Sequence, residues 1–464
     1  MYRIRPLDYI LGEEYQELEK QQIYFTPFDE LNDPLEGTID MFWQGDLIVW
    51  ENFLCHYLLC LCNKFLRATF SNNANDFLKE KEIHVQMTVN NLPERYGEVF
   101  KQIKKHFLSK QEIIVLLDYL SNKQIPTRRN ELLFYLQSIN LIALHSIISV
   151  HRENKLCQGS NFLSLLQEEE SSLVANITTL KEANSEENTK ELFRHFNLLY
   201  KQSALLQYYN FRTEKFDKKL AYLLINFPED FSMQIDELVY SKWYLACFMN
   251  SCPNASLWGS YGVNHTGVCL KFKTYNNDNK IYLPIEMPVG FGSNGLMIEP
   301  SEMFFDKVEY GNDRIQVDFF RSILTLPTPV LHEEWYTDDA GLKSICSDVL
   351  EDKEKRRKYW DNQKRISTSK TLDWKEENEY RLILTPLLDE FSNKEDRVLK
   401  YNFNDLDGII FGMRTPIEDK VKILAILDKK CQEHKRDDFK IYQADYDFGK
   451  KEMIIDELEL IKPK

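Results

Sequence analysis

A change in hydrophobic periodicity along the chain constrains its fold more than any other sequence feature. From residue 50 to residue 231, apolar residues recur at three- and four-residue spacing, as in EIIVLLDYL and ELLFYLQSINLIALHSIISV. This is the period of an amphipathic helix. Pro and Gly, which interrupt helices, are nearly absent between residues 130 and 227. The pattern therefore predicts a block of about five to seven helices.

The segments on either side of this block have the composition of a sheet. Short runs rich in aromatic and branched residues favour strands, and they read YRIRP, QIYFTP, VYSKWYLACFMN, GVCLKFK, KIYLPIEMPV, NEYRLILTPL and DGIIFGM. Helices are expected over residues 341–368 and in EDKVKILAILDKKCQEHK, with Pro416 near the start of the second. We predict an α+β protein with a mixed sheet core (residues 1–49 and 232–464) and a large all-helical insertion (residues 50–231).

Charge and cysteine content limit the surroundings in which the chain works. The net charge of −15 disfavours general nucleic-acid binding and makes anionic membranes unsuitable partners. The nine cysteines lie mainly in apolar runs, as buried thiols do in a reducing compartment, and their spacing does not pair as in a zinc site. The N-terminus has no apolar signal core, and the apolar stretch 47–62 is too short and too polar to span a bilayer. We expect a cytoplasmic protein with no metal.

One basic run departs from the acidic composition. KEKRRKYWDNQKR, residues 353–365, has two interpretations. It is a solvated helix face, or it contacts phosphate or RNA with Tyr359 and Trp360 as stacking groups.

A set of polar and aromatic residues falls at strand ends and turns, where a fold can bring them together. Its members are Arg3, Asn32, Asp33, Glu36, Trp258, Tyr261, His265, Glu377, Glu379 and Arg381. Arginine binds a diphosphate bidentately, aromatic rings stack on a flat ring, and a carboxylate holds ribose hydroxyls or stabilises an oxocarbenium ion. Buried polar groups of this kind need one another as partners. We therefore expect the NDPLE turn, the WGSY loop and the EYR strand to converge on one nucleotide-like ligand.

Four segments in order resemble the domain of unknown function 2971 family. They are YRIRP with YFTPFDELNDPLEG, LWGSYGVNHTGVCLKF after a strand containing Cys247 and Phe248, DWKEENEYRLIL, and DGIIFG. The resemblance covers residues 1–49 and 232–464, and residues 50–231 fall outside it. CFMN stands where a serine-bearing CFS is expected. The resemblance implies a bacterial cytoplasmic protein, with some members in abortive-infection or phage-defence settings as toxin effectors.

The arginine, aromatic and carboxylate set is also similar to ADP-ribosyltransferases, which begin with an arginine or histidine on a first strand and end with a catalytic glutamate on a later one. In this interpretation Arg3 grips NAD, Tyr261 stacks on nicotinamide, and Glu379 is the catalytic carboxylate. Glu377 and His265 complete the candidate catalytic set, and Glu377 is expected to share a strand face with Glu379. Asn32, Asp33, Glu36, Trp258 and Arg381 complete the substrate-binding set. STS at 367–369 and ENE at 377–379 imitate transferase signatures, but only about eight residues separate them, and we interpret the match as chance.

Several alternatives stay open at this point. NDPLE can be only a turn, Trp258 and Tyr261 only core aromatics, His265 only a loop residue, and Glu379 with Arg381 only a structural ion pair. As a whole, the protein can be a non-enzymatic sensor or scaffold that binds a protein partner through residues 50–231. A weaker alternative is a nuclease that acts through acidic residues and the basic run.

Overall fold

The computed structural model describes residues 1–464 except 34, 72, 80–81, 157–172, 182–185, 212–217, 241, 293–294, 313, 387–390 and 464. The strands β1 to β19 are Tyr2–Arg5, Gln22–Tyr24, Thr26–Pro27, Asp40–Trp43, Thr127–Arg128, Tyr244–Met249, Val268–Phe272, Tyr275–Asn277, Lys280–Gly292, Gly295–Phe304, Asp306–Lys307, Glu309–Tyr310, Gln316–Asp318, Ser369–Lys370, Glu379–Leu384, Val398–Tyr401, Leu406–Phe411, Lys440–Asp447 and Glu452–Glu457. The α-helices α1 to α14 are Leu7–Leu11, Leu47–Phe70, Ala74–Lys79, Glu94–Leu108, Gln111–Asn122, Arg129–Glu153, Leu173–Lys181, Glu186–Phe211, Lys218–Ala221, Phe227–Gln234, Ala255–Ser260, Thr328–Val330, Lys353–Ser367 and Ile417–His434. The predicted α+β class is confirmed.

The chain divides into two compact units. Unit 1 comprises Met1–Thr38, Lys242–Arg314 and Lys364–Lys464, and unit 2 comprises Ile39–Ser241 and Ile315–Gln363. The predicted boundaries at residues 49 and 232 differ from this division, because residues 39–49, 232–241 and 315–363 belong to the unit that holds the helices.

Unit 1 is built on two main sheets and a two-stranded parallel sheet of β12 with β14. The larger sheet has the strand order β11-β15-β6-β1-β7-β17-β18-β19, with β3 also paired to β6, and the smaller has the order β10-β9-β16-β2, with β8 paired to β9. Apolar side chains from both sheets, including Phe248, Leu270 and Ile285, form one buried core with Leu427 of α14. α14 begins after Pro416, as the sequence predicts.

The larger sheet sets the register of the segments that matter for function. β15 pairs antiparallel with β6, which places Glu379 opposite Met249 and Arg381 opposite Cys247. β1 pairs with the same β6 strand at Tyr2. The first strand of the chain and the EYR strand therefore lie on opposite sides of one central strand.

Unit 2 is mostly helical. Residues 50–231, which were predicted to be all-helical, contain one short described strand, β5. β4, β5 and β13 form a three-stranded sheet, with β4 in the middle. These strands come from parts of the chain far apart in sequence and are only two to four residues long, so no local alternation marks them. The predicted helix over residues 341–368 is also shorter than expected. A 3₁₀ turn over Ile345–Leu350 precedes α13, which begins at Lys353.

Helix α6 is the one described helix that is long and apolar enough, by length and composition, to cross a membrane. However, 67% of its most apolar window is buried inside the protein. A buried core helix of a soluble protein has this property.

Candidate functional site

A cavity of about 290 Å³ lies in unit 1, beside β1, β6 and the start of β15. Its polar and aromatic lining includes Arg3, Arg5, Tyr9, Tyr24, Glu30, Asn32, Glu36, Cys247, Tyr261, Lys370, Glu377 and Glu379. The NDPLE turn, the WGSY segment and the start of the EYR strand thus contribute to one concave surface. Of the ten residues that the sequence singles out, Arg3, Asn32, Glu36, Tyr261, Glu377 and Glu379 line it.

Direct contacts join the three segments. Glu36 of the NDPLE turn forms ion pairs with Arg381 of the EYR strand and with Lys370, whose Nζ lies 3.6 Å from Oε2 of Glu36. The hydroxyl of Tyr261 donates to Oε1 of Glu377 over 2.6 Å. The expected convergence is therefore present, although the segments are far apart in sequence.

Lys370 is the centre of a buried group of carboxylates. Its Nζ donates to Oε2 of Glu377 over 2.7 Å and to Oε2 of Glu379 over 3.3 Å. Burial alone would lower the pKa of Lys370, but the charges of Glu379 and Glu377 and the nearby Tyr261 outweigh it and raise the pKa. Lys370 is therefore a cation held in place by carboxylates, and it keeps them close together despite their like charge.

Arg381 is the second buried cation of this group. Its side chain is fully buried and contacts Glu36, donates to both oxygens of Glu379 over 2.9 and 3.1 Å, and donates to the carbonyl of Ser367 over 2.7 Å. Burial lowers the pKa of Arg381 to about 9. Arg381 does not line the cavity, so its described contacts are those of a structural residue and not of one that touches a ligand.

Glu379 sits between this network and the cavity. Burial raises the pKa of its carboxyl group, although Lys370 and the adjacent Cys247 act in the opposite direction. Burial and the charge of Glu379 raise the pKa of the Cys247 thiol well above its usual range, whereas Lys370 and Arg3 lower it. Cys247 therefore lies within the field of both Glu379 and Arg3.

Arg3 lines the cavity and has no ion pair among the described residues. It is buried, and its described hydrogen bond is one from Nη2 to the carbonyl of Tyr24 over 3.1 Å. Its Nε and Nη1 are buried with no hydrogen-bond partner, and the guanidinium lies 5.4 Å from the ring centre of Phe248. Burial lowers the pKa of Arg3 to about 10. Buried donors without partners are rare in folded proteins, so these two nitrogens are candidates for contact with a ligand.

Like Arg381, the predicted residues Trp258 and His265 do not line the cavity. Trp258 is fully buried in a second apolar cluster, and its Nε1 donates to the carbonyl of Cys252 over 2.8 Å. Its placement beside a ligand is therefore corrected to a core position. His265 follows two other residues with positive φ, Val263 and Asn264, and its carbonyl accepts from the backbone of Arg414 over 2.9 Å. This tight turn packs the loop against the end of β17 and does not bring His265 to the cavity.

Asp33 and Glu377 have different settings from those the sequence suggests. Asp33 is buried and does not line the cavity, and its Oδ1 accepts from the backbone of Leu35 over 2.9 Å, as in a structural turn. Glu377 ends a 3₁₀ turn, and Asn378 has left-handed backbone angles before β15 begins at Glu379. Glu377 therefore lies before β15, and the prediction that it shares a strand face with Glu379 is wrong. The two glutamates share a side because both bind Lys370.

Sequence reasoning missed Lys370, the residue that organises the site. It follows STS directly, and the three hydroxyls of that segment donate to carbonyls of Lys364 and Arg365 at the end of α13. STS thus runs from the last residue of α13, Ser367, into β14 at Ser369. A lone lysine after a polar run carries no local signal of burial. Tyr24 and Glu30, whose side chains are joined by a 3.1 Å hydrogen bond at the cavity, were missed for the same reason.

Unit 2 contains a larger cavity of about 860 Å³, lined by α2, α4 and residues near Trp335. Lys104 pairs with Asp339 over 3.2 Å, and the carboxylate of Glu334 accepts from the backbone of Val89. Because these lining charges already have partners, unit 1 offers the better candidate site. Comparison with family models, curated proteins and solved structures finds no match to this chain.

Proposed function

We propose that the cavity of unit 1 binds a nucleotide with a diphosphate group, and that the protein acts on NAD in the manner of an ADP-ribosyltransferase. The observation that carries the proposal is Arg3, a buried guanidinium with two unpartnered nitrogens in the cavity wall. A guanidinium presents paired N–H groups that match phosphate oxygens. A bound diphosphate would satisfy the donors that the protein leaves free.

The carboxylates in the same lining suit the other end of NAD. Glu377 and Glu379 line the cavity together with the partly buried Tyr261. NAD carries a cationic nicotinamide ring besides its anionic diphosphate, and a cavity with separate cationic and anionic groups is complementary to both. Tyr261 offers an aromatic face to the ring. The volume of about 290 Å³ is near the lower end for small-molecule sites, which suits part of a dinucleotide.

The reaction follows from these charges. The bond between nicotinamide and ribose breaks, and its electron pair leaves with nicotinamide. Glu379 stabilises the positive charge that develops on ribose. A nucleophile on the acceptor then forms the new bond to ribose and releases a proton, and water in its place would yield free ADP-ribose. Glu377 orients the site through Lys370 and Tyr261.

The test is NAD binding and turnover by the full chain. With wild-type protein we expect binding by calorimetry and release of nicotinamide from labelled NAD in the presence of cell extract. Arg3→Met is expected to weaken binding at least tenfold, because a charged hydrogen bond contributes about 1.5–3 kcal/mol. Glu379→Gln is expected to reduce turnover more than binding.

Matched controls separate these effects from a general loss of charge. Arg414→Met and Glu418→Gln change exposed residues that do not line the cavity, and both should behave as wild type. Absence of NAD binding, or wild-type turnover in Glu379→Gln, would contradict the proposal.

A cytoplasmic location is part of the same proposal. Eight cysteines are free thiols, and the ninth, Cys157, lies outside the described residues. NAD and reduced thiols coexist in the cytoplasm. The setting in phage defence rests on the family resemblance described above.

A second candidate function is favoured by a separate observation in unit 2. Helix α8 exposes two pairs of leucines seven residues apart, Leu198 with Leu205 and Leu199 with Leu206. This spacing places all four on one helix face. We propose that an amphipathic helix of a partner protein packs there in a scaffold role. Leu199→Glu with Leu206→Glu should then abolish cellular activity while NAD turnover by the purified protein is unchanged. Unchanged cellular activity would contradict this second proposal.

A further inference from the structure

We infer that the exposed face of α13 binds single-stranded nucleic acid. This inference concerns unit 2 and does not depend on the proposed NAD site. We call this face the basic stripe and define it by Lys353, Arg356, Arg357 and Trp360.

Helical spacing gathers the basic stripe on one side of α13. Arg356 and Trp360 are four residues apart, as are Lys353 and Arg357, and Trp360 follows Arg357 by three. Residues three and four apart are neighbours on a helix surface. Three cations and one indole therefore form a continuous strip about two turns long.

The side chains of the basic stripe are exposed and unengaged. Trp360 is 62% exposed, and Lys353, Arg356 and Arg357 are exposed as well. Within the described part of the chain, none of the three cations has a side-chain ion pair or hydrogen bond. In a protein with a net charge of −15, a free cationic strip is complementary to a polyanion.

The opposite side of α13 fixes the helix in unit 2. The hydroxyl of Tyr359 donates to the carbonyl of Val239 over 2.7 Å, and its ring stacks on Tyr240 at 5.3 Å. Lys355 pairs with Asp348, and the carboxylate of Asp352 caps the helix start. Of the two aromatic residues that the sequence suggests for stacking, Tyr359 is thus a buried anchor and only Trp360 is accessible.

The exposure and surroundings of Trp360 favour single-stranded nucleic acid over an anionic membrane as the partner. Its ring lies edge-on to Tyr359 at 5.0 Å, which positions it while leaving it exposed. An exposed indole between arginines suits the alternation of bases and phosphates in a single strand, where each base can stack and each phosphate can pair. An anionic membrane surface would need several apolar residues on this face, and Trp360 is the sole one. Two acidic residues, Glu354 and Asp361, lie to one side of the basic stripe by helical spacing.

The experiment measures binding of fluorescent rU12 and dT12 oligonucleotides to the full chain by anisotropy. Three phosphate contacts predict a slope of about −2 for log affinity against log salt concentration. Trp360→Ala should weaken binding about tenfold. The double variant Arg356→Ala/Arg357→Ala should weaken it further and flatten the slope by about 1.4.

The matched control is Lys358→Ala, which removes a free, exposed cation from the same helix but from another face. It should bind as wild type does. An equal loss in Lys358→Ala and in Trp360→Ala would overturn the inference, because it would indicate general attraction without a stacking site. No oligonucleotide binding at low salt, or tighter binding to phosphatidylserine vesicles than to rU12, would overturn it too.

Discussion

Two of the buried arginines of unit 1 lie in different surroundings. Arg381 lies in a network of carboxylates, and Arg3 lies in the wall of the cavity. Arg381 is fully buried and contacts Glu36, Glu379 and the carbonyl of Ser367. Arg3 is buried almost as deeply, yet two of its nitrogens have no partner. Burial lowers the pKa of both, to about 9 and about 10. Arg381 contacts carboxylates directly, whereas Glu17, the carboxylate that raises the pKa of Arg3, forms its ion pair with Arg5.

This difference distinguishes charged residues that stabilise the fold from charged residues that are available to bind a ligand. Breaking a buried ion pair leaves an uncompensated charge and is strongly destabilising. Removing a buried cation that has no counter-ion removes a cost. Equal burial of two arginines can therefore accompany opposite effects on stability, and substitutions test which arginine is which.

The largest effect is expected for Arg381→Met. This change leaves Glu36 and Glu379 without their guanidinium, so the free energy of unfolding should fall by about 3–5 kcal/mol. Arg3→Met should change it by less than about 1 kcal/mol, in the stabilising direction. Urea denaturation of both variants measures the difference. If Arg3→Met lost as much stability as Arg381→Met, the comparison would fail.

A smaller loss of about 2 kcal/mol is expected for Trp258→Phe, which removes core volume and the hydrogen bond to the carbonyl of Cys252. NAD affinity, measured by calorimetry, should be unchanged because Trp258 does not line the cavity. A loss of NAD affinity without a loss of stability would instead indicate that Trp258 contacts the ligand.

Tyr261→Phe tests whether Tyr261 contributes through its hydrogen bond to Glu377 or through its aromatic ring. The variant loses the hydrogen bond to Glu377, but Glu377 keeps Lys370, so stability should fall by only about 1 kcal/mol. The aromatic ring remains, and NAD binding should weaken less than in Tyr261→Ala. Equal NAD affinity in the two variants would contradict stacking by Tyr261.

The smallest effect is a dependence on pH through Glu379. Burial raises the pKa of its carboxyl above the ordinary value of 4.5, so the folded state holds this proton more tightly than the unfolded chain does. The resulting stability is fully present below about pH 4.5 and is lost as pH rises through the folded pKa. Wild type should therefore lose stability relative to Glu379→Gln as pH rises through this window, and nicotinamide release should rise. A gap in stability that does not vary with pH would show that this pKa is not raised.

Some parts of the site could be predicted from the sequence because their signals are local. The strands β1, β6, β7, β15 and β17 and the helix α14 fall where alternation, residue type and helical period place them. Arg3, Tyr261 and Glu379 were identifiable because strand ends and turns hold polar residues that need partners. Nothing local distinguished Arg3 from Arg381, since both are arginines on strands, and their different roles depend on which carboxylates the fold brings near each.

The sequence by itself determined the helical block, the α+β class and eight strands of unit 1, namely β1, β2, β3, β6, β7, β9, β15 and β17, because side-chain periodicity acts over a few residues. Tertiary structure alone decided the three-stranded sheet of unit 2, the membership of residues 315–363 in that unit, the core position of Trp258 and the central place of Lys370. These features arise from contacts between segments remote in sequence. The free energy that stabilises these features comes from contacts with residues remote in sequence. The local sequence of a short strand or of a single buried lysine therefore does not predict its place in the fold.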